Sequence, residues 1–183
     1  AETAIVGRTG AAAAGERALF QSALGTADAL GPAVLRDIEN PEACSLMLKS
    51  FVERGATYVY AGFVQLDGNT TCNSGGASRN LTGFEAYEHF IANPTTMAVP
   101  MAKGAVSGQD VVVVGQPLYR DRELRGYVAV SLSQELLQST HSSIYGSAGA
   151  QTITFNADGD ILSADDGVVE DIGGALPRDQ TLK

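Results

Sequence analysis

Few residues in this chain have the type and spacing that chemistry needs, and most of those argue against catalysis. His89 lies beside Glu85 and Glu88 in a short helical stretch, where a Glu–His pair would serve as general acid and base. On an exposed helix the same neighbourhood is simply a solvated face. His141, in the C-terminal half of a later helical stretch, reads as a surface residue favoured by the helix dipole. No Gly-x-Ser-x-Gly elbow exists, and neither Cys44 nor Cys72 sits in a local signature with a His or Asn partner. Two cysteines and two histidines do not make a structural zinc site. Asn156-Ala157-Asp158-Gly159-Asp160 opens like a calcium loop, but Ile161 stands where the loop needs glycine and Gly167 where it needs glutamate, so it is read as a turn. The Gly/Ser segments at 74–76 and 146–149 lack the Gly-Lys-Ser/Thr ending of a phosphate cradle. No catalytic residue, metal or cofactor is therefore expected.

What remains is binding. Strand parity over residues 57–66 puts Tyr58, Tyr60 and Gly62 on one face and Val59, Ala61 and Phe63 on the other. Residues 124–132 repeat the division, with Tyr127, Ala129 and Ser131 opposed to Val128, Val130 and Leu132. Each strand thus offers an aliphatic face for a helix to cover. The opposite face carries hydroxyls of the kind that orient a small molecule in a pocket, or that a core satisfies internally. Arg79, in a Gly/Ser/Asn loop, has the planar fork that suits a ligand carboxylate, although a loop arginine is commonly just exposed. Cys44 and Cys72 can pair, which would place the chain outside the cytosol.

The elements that must position these residues follow from periodicity. Residues 4–38 read as one long helix: Phe20, Ala23, Leu24, Ala27, Leu30, Val34, Leu35 and Ile38 recur at three- and four-residue spacings. Three early glycines soften its start, and Gly31-Pro32 should kink its last third. Asn40-Pro41 caps a second helix that ends near Arg54-Gly55. A strand at 57–66 turns at Asp67-Gly68 into residues 70–74. A short helix over 84–91 follows, then strands near 96–101, 110–118 and 124–132, and a helix over 134–145. A strand from Gln151 with Asp158-Gly159 echoes the first hairpin. Some thirty residues there cannot bury a core alone, so residues 151–183 either dock on the first domain or open a truncated second one.

Composition narrows the partners. Across 183 residues the net charge is −9, which argues against nucleic acid and against a polybasic membrane-surface contact. No apolar run approaches a bilayer-spanning length. The chain opens Ala1-Glu2-Thr3 without methionine, as an excised or processed piece would.

The order of these parts resembles a known family. A long helix leads to a short helix carrying Cys44. A strand ending in Asp67-Gly68 comes next, then Thr71-Cys72-Asn73-Ser74 and the loop and helix over 84–93. Gly115-Gln116-Pro117-Leu118 and Gly126-Tyr127-Val128-Ala129-Val130-Ser131 close the block. Over about residues 15–140 this is similar to the PAS-like Cache (PDC) sensor domains on the extracytoplasmic side of bacterial membrane receptors, most like those of sensor histidine kinases. The resemblance implies an α+β fold: a five-stranded antiparallel sheet under a long N-terminal helix, with a short or truncated second β module. It divides the chain into a helix over 1–40, a sensor core over 41–145, and a linker with the start of a second module over 146–183. It also implies a Cys44–Cys72 disulfide tying the second helix to the hairpin.

By position, the resemblance places Tyr58, Tyr60, Tyr87, His89 and Ser131 around the ligand, with Arg79 as a partner for a carboxylate. The Tyr/Arg/aromatic/Asp signature of the amino-acid-binding subgroup is not found in this chain, so ligand identity does not carry over. The expectation is a non-catalytic periplasmic sensor of an unidentified small molecule, on a membrane-anchored parent that dimerises and signals through its long helix. A free periplasmic binding or adhesion module is the runner-up, and a small hydrolase using His89 comes third.

Overall fold

The computed structural model describes residues 2–145, 153–155 and 161–164 of the chain, with side chains from residue 14 to 140 and in parts of the last two segments. Helix α1 (Glu2–Asp37) leads into α2 (Pro41–Glu53), β1 (Tyr58–Gln65), β2 (Cys72–Asn73) and α3 (Glu85–Ala92). Strands β3 (Met97–Met101), β4 (Val111–Arg120) and β5 (Glu123–Ser133) follow, then α4 (Gln134–Tyr145) and the short strands β6 (Ile153–Phe155) and β7 (Ile161–Ala164). The first five strands form one antiparallel sheet in the order β2-β1-β5-β4-β3, and β6 pairs with β7. The fold is thus the α+β arrangement expected: a long helix, a five-stranded antiparallel sheet and a small second β unit.

The apolar stripe of α1 explains its place. Ala23, Ala27 and Val34 are fully buried against the valines of β4 and β5, with Phe20, Leu24 and Leu30 packed around them. Small residues let the helix lie close. A Cβ on Gly31 would stand 2.9 Å from Leu118 of β4. The helix runs through Pro32 to Asp37 as one element, since burial of Ala27 and Val34 on either side holds the turns that lose a hydrogen bond to the proline.

Helix α2 starts as its sequence dictates. Asn40 Oδ1 accepts from the Ala43 amide at 3.2 Å and Pro41 occupies the first turn, where its missing N–H costs nothing. Asn40→Ala is expected to lower stability by about 1 kcal/mol, read by urea denaturation. A change under a few tenths would show that Pro41 alone sets the helix start.

Both faces of the sheet are covered. Val112 and Val114 of β4 and Val128, Val130 and Leu132 of β5 face α1 and α2. Val111, Val113, Tyr127 and Ala129 face the other way, towards Phe90 of α3. The parity expected for β5 holds over residues 127–132; before it, a bulge at Arg125 turns Leu124 to the cavity face. In β1 the parity also breaks. Tyr58 pairs with Leu132 while Tyr60 pairs with Ser131, so Val59 is an extra, bulged residue. The bulge sends Tyr58 to the helix face, where it stacks on Phe51 at 5.6 Å and shares a 3.0 Å hydrogen bond with Thr26. Tyr60 stays on the opposite face, and the expectation that the two tyrosines share a face is corrected.

Cys44 and Cys72 form a disulfide with their Cα atoms 5.3 Å apart, joining α2 to β2 as the resemblance implied. The described part of the C-terminal segment docks on the first unit. Gln134 and Gln138 of α4 donate to the carbonyls of Leu162 and Ala164, and Thr154 donates to the buried Glu16 of α1 at 2.8 Å. The Asp158-Gly159 turn, the 146–150 linker, the His141 side chain and the segment beyond residue 164 lie outside what is described. Among the described residues no helix is long and apolar enough to cross a membrane.

Candidate functional site

The face of the sheet away from α1 holds a cavity of about 40 Å³. Its floor is the polar-dotted face of the strands: Tyr60 and Val64 from β1, Val111 and Val113 from β4, and Ala129 and Ser131 from β5. The first turn of α3 forms one wall, through Phe84, Ala86 and Tyr87. The loop over 102–110 lies across the remaining side with Gly104, Ala105, Val106 and Ser107.

That loop is built on its backbone. Lys103 and Gly108 take positive φ values of 54° and 68°. The Gly104 amide donates to Gln109 O at 2.7 Å, and the Lys103 amide to Asp110 Oδ1 at 3.0 Å. A side-chain bond holds it down from the far side: Arg79 Nη1 donates to Ala105 O at 2.9 Å. Arg79 is itself anchored, because its amide and carbonyl both bond the hydroxyl of the fully buried Thr70. Asn73, also fully buried, organises the start of the same loop by donating to Thr70 O and Ala77 O and accepting from the Gly75 amide.

Three phenols meet at the cavity. Tyr87 donates to Leu66 O at 2.9 Å, which ties α3 to the end of β1. Tyr127 is buried with its ring 4.4 Å from that of Phe90. Burial pushes the Tyr127 hydroxyl far above its ordinary range, and the nearness of Tyr60 and Tyr87 adds to the shift. Tyr60 is raised likewise, by burial first, so both phenols are neutral, with their protons available as donors. Gly62 makes room for Tyr60: a Cβ there would collide with the phenol oxygen.

Of the expected site residues, the structure brings together Tyr60, Tyr87 and Ser131 in the cavity wall. Arg79 stands outside it, exposed, with its guanidinium on the covering loop. His89 is exposed on α3 and makes no ion pair among the described residues, while its neighbour Glu88 accepts from the Gly83 amide at 2.8 Å. Tyr58 lies across the sheet, placed there by the Val59 bulge. Tyr127 and the 104–107 loop complete the cavity. Strand parity places Tyr127 on the same face as Ser131, but it is not among the residues expected around the ligand. The loop has no periodicity to read.

No protein-family model matches the chain, and no curated protein matches it. Solved structures do. One is the ligand-binding domain of the Pseudomonas aeruginosa PAO1 amino acid chemoreceptor PctB in complex with L-Gln. It is 16% identical at a TM-score of 0.71, over 92% of this chain and 69% of that one. The extracellular domain of rpHK1S-Z16, named as a histidine kinase, is 15% identical at a TM-score of 0.70, over 96% and 75%. The ligand-binding domain of the Campylobacter jejuni chemoreceptor Tlp3 with L-norvaline is 16% identical at 0.56, over 89% and 70%. At such identities the likeness is one of fold, and the fold of this chain is that of the PAS-like Cache sensor domains of bacterial receptors.

Proposed function

We propose that this chain is the extracytoplasmic sensor domain of a bacterial membrane receptor, that it binds a small molecule in the cavity beneath the 102–110 loop, and that it performs no catalysis. The cavity carries the reading, because it lies on the sheet face where α1 does not pack. The disulfide supports an oxidising compartment. The likeness to the extracellular domain of rpHK1S-Z16 supports a parent of histidine-kinase type; that this parent is anchored in the inner membrane and dimeric is part of the proposal.

Transmission has a direct physical route. Val111 and Val113 border the cavity, while Val112 and Val114 of the same strand pack under α1. A ligand that binds one arrangement of β4 and β5 better than another shifts the seat of the helix by that difference in affinity. Moving such a switch from 1:99 to 99:1 takes roughly a 10⁴-fold preference.

The test is a melting-temperature screen of the chain against small metabolites, with Ala129→Leu filling the cavity and His89→Ala as an outside control. A true ligand at about 100 times its Kd adds about 2.7 kcal/mol, or about 5–10 °C, to the wild type and the control. Ala129→Leu should abolish that gain. A ligand that stabilises Ala129→Leu as strongly as the wild type would place binding elsewhere and remove this reading.

A further inference from the structure

Tyr60 is only 7% exposed, and its hydroxyl has no hydrogen-bond partner among the described residues. Among the described residues the only other buried side-chain polar atom so placed is Gln134 Oε1, on α4 and outside the cavity. The Thr70 hydroxyl stands near the phenol and offsets part of its burial shift, but it donates to Arg79 O and accepts from the Arg79 amide, and no hydrogen bond of good geometry joins it to Tyr60. A buried phenol without a partner is costly, and native structures rarely leave one so. Here it borders a cavity with room for roughly two or three water-sized groups.

The walls limit what that partner can be. Among the described residues no Asp, Glu, Lys, Arg or His lines the cavity. The nearby cation, Arg79, is exposed and donates to the loop backbone at Ala105. An ionised group entering the cavity would surrender its hydration and meet no opposite charge in the walls; the Arg79 charge reaches the phenol only from outside the cavity, with its guanidinium engaged at Ala105 O.

We propose that the cavity takes an uncharged molecule, an apolar body carrying an amide, carbonyl or hydroxyl group that pairs with the Tyr60 phenol beside Ser131. This rests on the sensor reading above and narrows it. A zwitterionic amino acid is disfavoured, because neither its ammonium nor its carboxylate would meet an opposite charge in the walls. The selectivity is set by desolvation: the phenol satisfies one neutral polar group, and the valines, Ala129 and Met101 accept the rest.

Three four-carbon probes separate the possibilities: butanamide, butanoate and L-2-aminobutanoate, titrated into the isotopically labelled chain and followed at the Gly62, Ala129 and Ser131 amides by NMR. Butanamide should shift these amides saturably, and Tyr60→Phe should weaken its binding about tenfold while leaving the fold intact. The two charged probes should give no saturable shift there. Saturable binding of either charged probe at these amides, tighter than butanamide, would overturn the uncharged class and leave the sensor reading standing. Butanamide binding that Tyr60→Phe leaves unchanged would overturn the role of the phenol. If none of the three binds, the class of the cavity-dependent compound from the melting screen decides: an uncharged one supports the inference, a charged one refutes it. A screen with no cavity-dependent compound removes the sensor reading together with it.

Discussion

Replacing Cys44 and Cys72 together with alanine is expected to cost about 3.5 kcal/mol of stability and to lower the melting temperature by about 7–14 °C. The bond joins residues 28 apart, and closing a loop of that length removes this much conformational freedom from the unfolded chain in the entropy model. Its position makes the loss felt in the fold as well. Strand β2 is two residues long, at the edge of the sheet, with only Gly62↔Asn73 and Phe63↔Cys72 as ladder pairs. Apart from the disulfide, Ser45 of α2 fastens this edge by donating to Thr71 O and accepting from the Asn73 amide. Both cysteines are buried in the helix-side core, so the alanines also leave space where sulfur packed. Thermal and urea unfolding of the double variant, compared with the wild type under oxidising and reducing conditions, measures the effect. Reductant should move the wild type towards the variant and leave the variant unmoved. A loss below about 1 kcal/mol would mean that the unfolded chain is already compact between these residues.

The bond also reaches the site. From Cys72 the chain runs through Asn73 into the loop whose Arg79 holds down the cover of the cavity. Amide hydrogen exchange in the double variant should therefore rise first at residues 70–80 and then at 104–108, ahead of the central strands. A uniform rise across the sheet would show that the edge and the cover open only with the whole molecule.

How much of this was legible beforehand differs by element. Most of strand β5 and the start of helix α4 follow from local pattern, because each keeps one period over the stretch that packs; only the bulge at Arg125 interrupts β5. The alternation of Tyr127, Ala129 and Ser131 with Val128, Val130 and Leu132 survives in the two packed faces. Strand β1 shows where alternation fails. Its composition does not mark Val59 as an extra residue, since the bulge arises from pairing with Leu132 and Ser131 some seventy positions away. One residue of slip decides which tyrosine borders the cavity and which stacks on Phe51. The covering loop was illegible for a different reason. Gly104, Ala105, Val106 and Ser107 have no periodicity, and their place over the cavity depends on a backbone bond from Arg79. Arg79 reads in the sequence either as a partner for a ligand carboxylate or as an exposed loop residue; it is exposed, and its guanidinium donates to the Ala105 carbonyl.

Gly126→Ala is expected to cost at least about 3 kcal/mol, the larger part through the junction of β1 and β5. Gly126 adopts φ +144°, which L side chains rarely take, and its added Cβ would collide with the carbonyl oxygen of Val64 and stand 3.0 Å from the Phe63 ring. That carbonyl is strand backbone and cannot swing aside as a side-chain tip would. Gly126 pairs with Gln65 on one side and with Leu118 on the other, four residues past a tight turn in which Asp121 and Arg122 both have positive φ. To admit the methyl group, β1 must move away from β5, and Val64, which borders the cavity, moves with it. The variant should therefore lose cavity-dependent ligand stabilisation along with its melting temperature. Gly25→Ala is the fitting comparison. Gly25 is exposed within α1 with nothing within 4 Å of an added Cβ, so alanine there should add about 0.5–1 kcal/mol. The two substitutions introduce the same methyl group with opposite signs. Equal melting temperatures for both variants would mean that β1 and β5 yield at this crossing without loss, and the rigid floor assigned to the cavity would have to be given up.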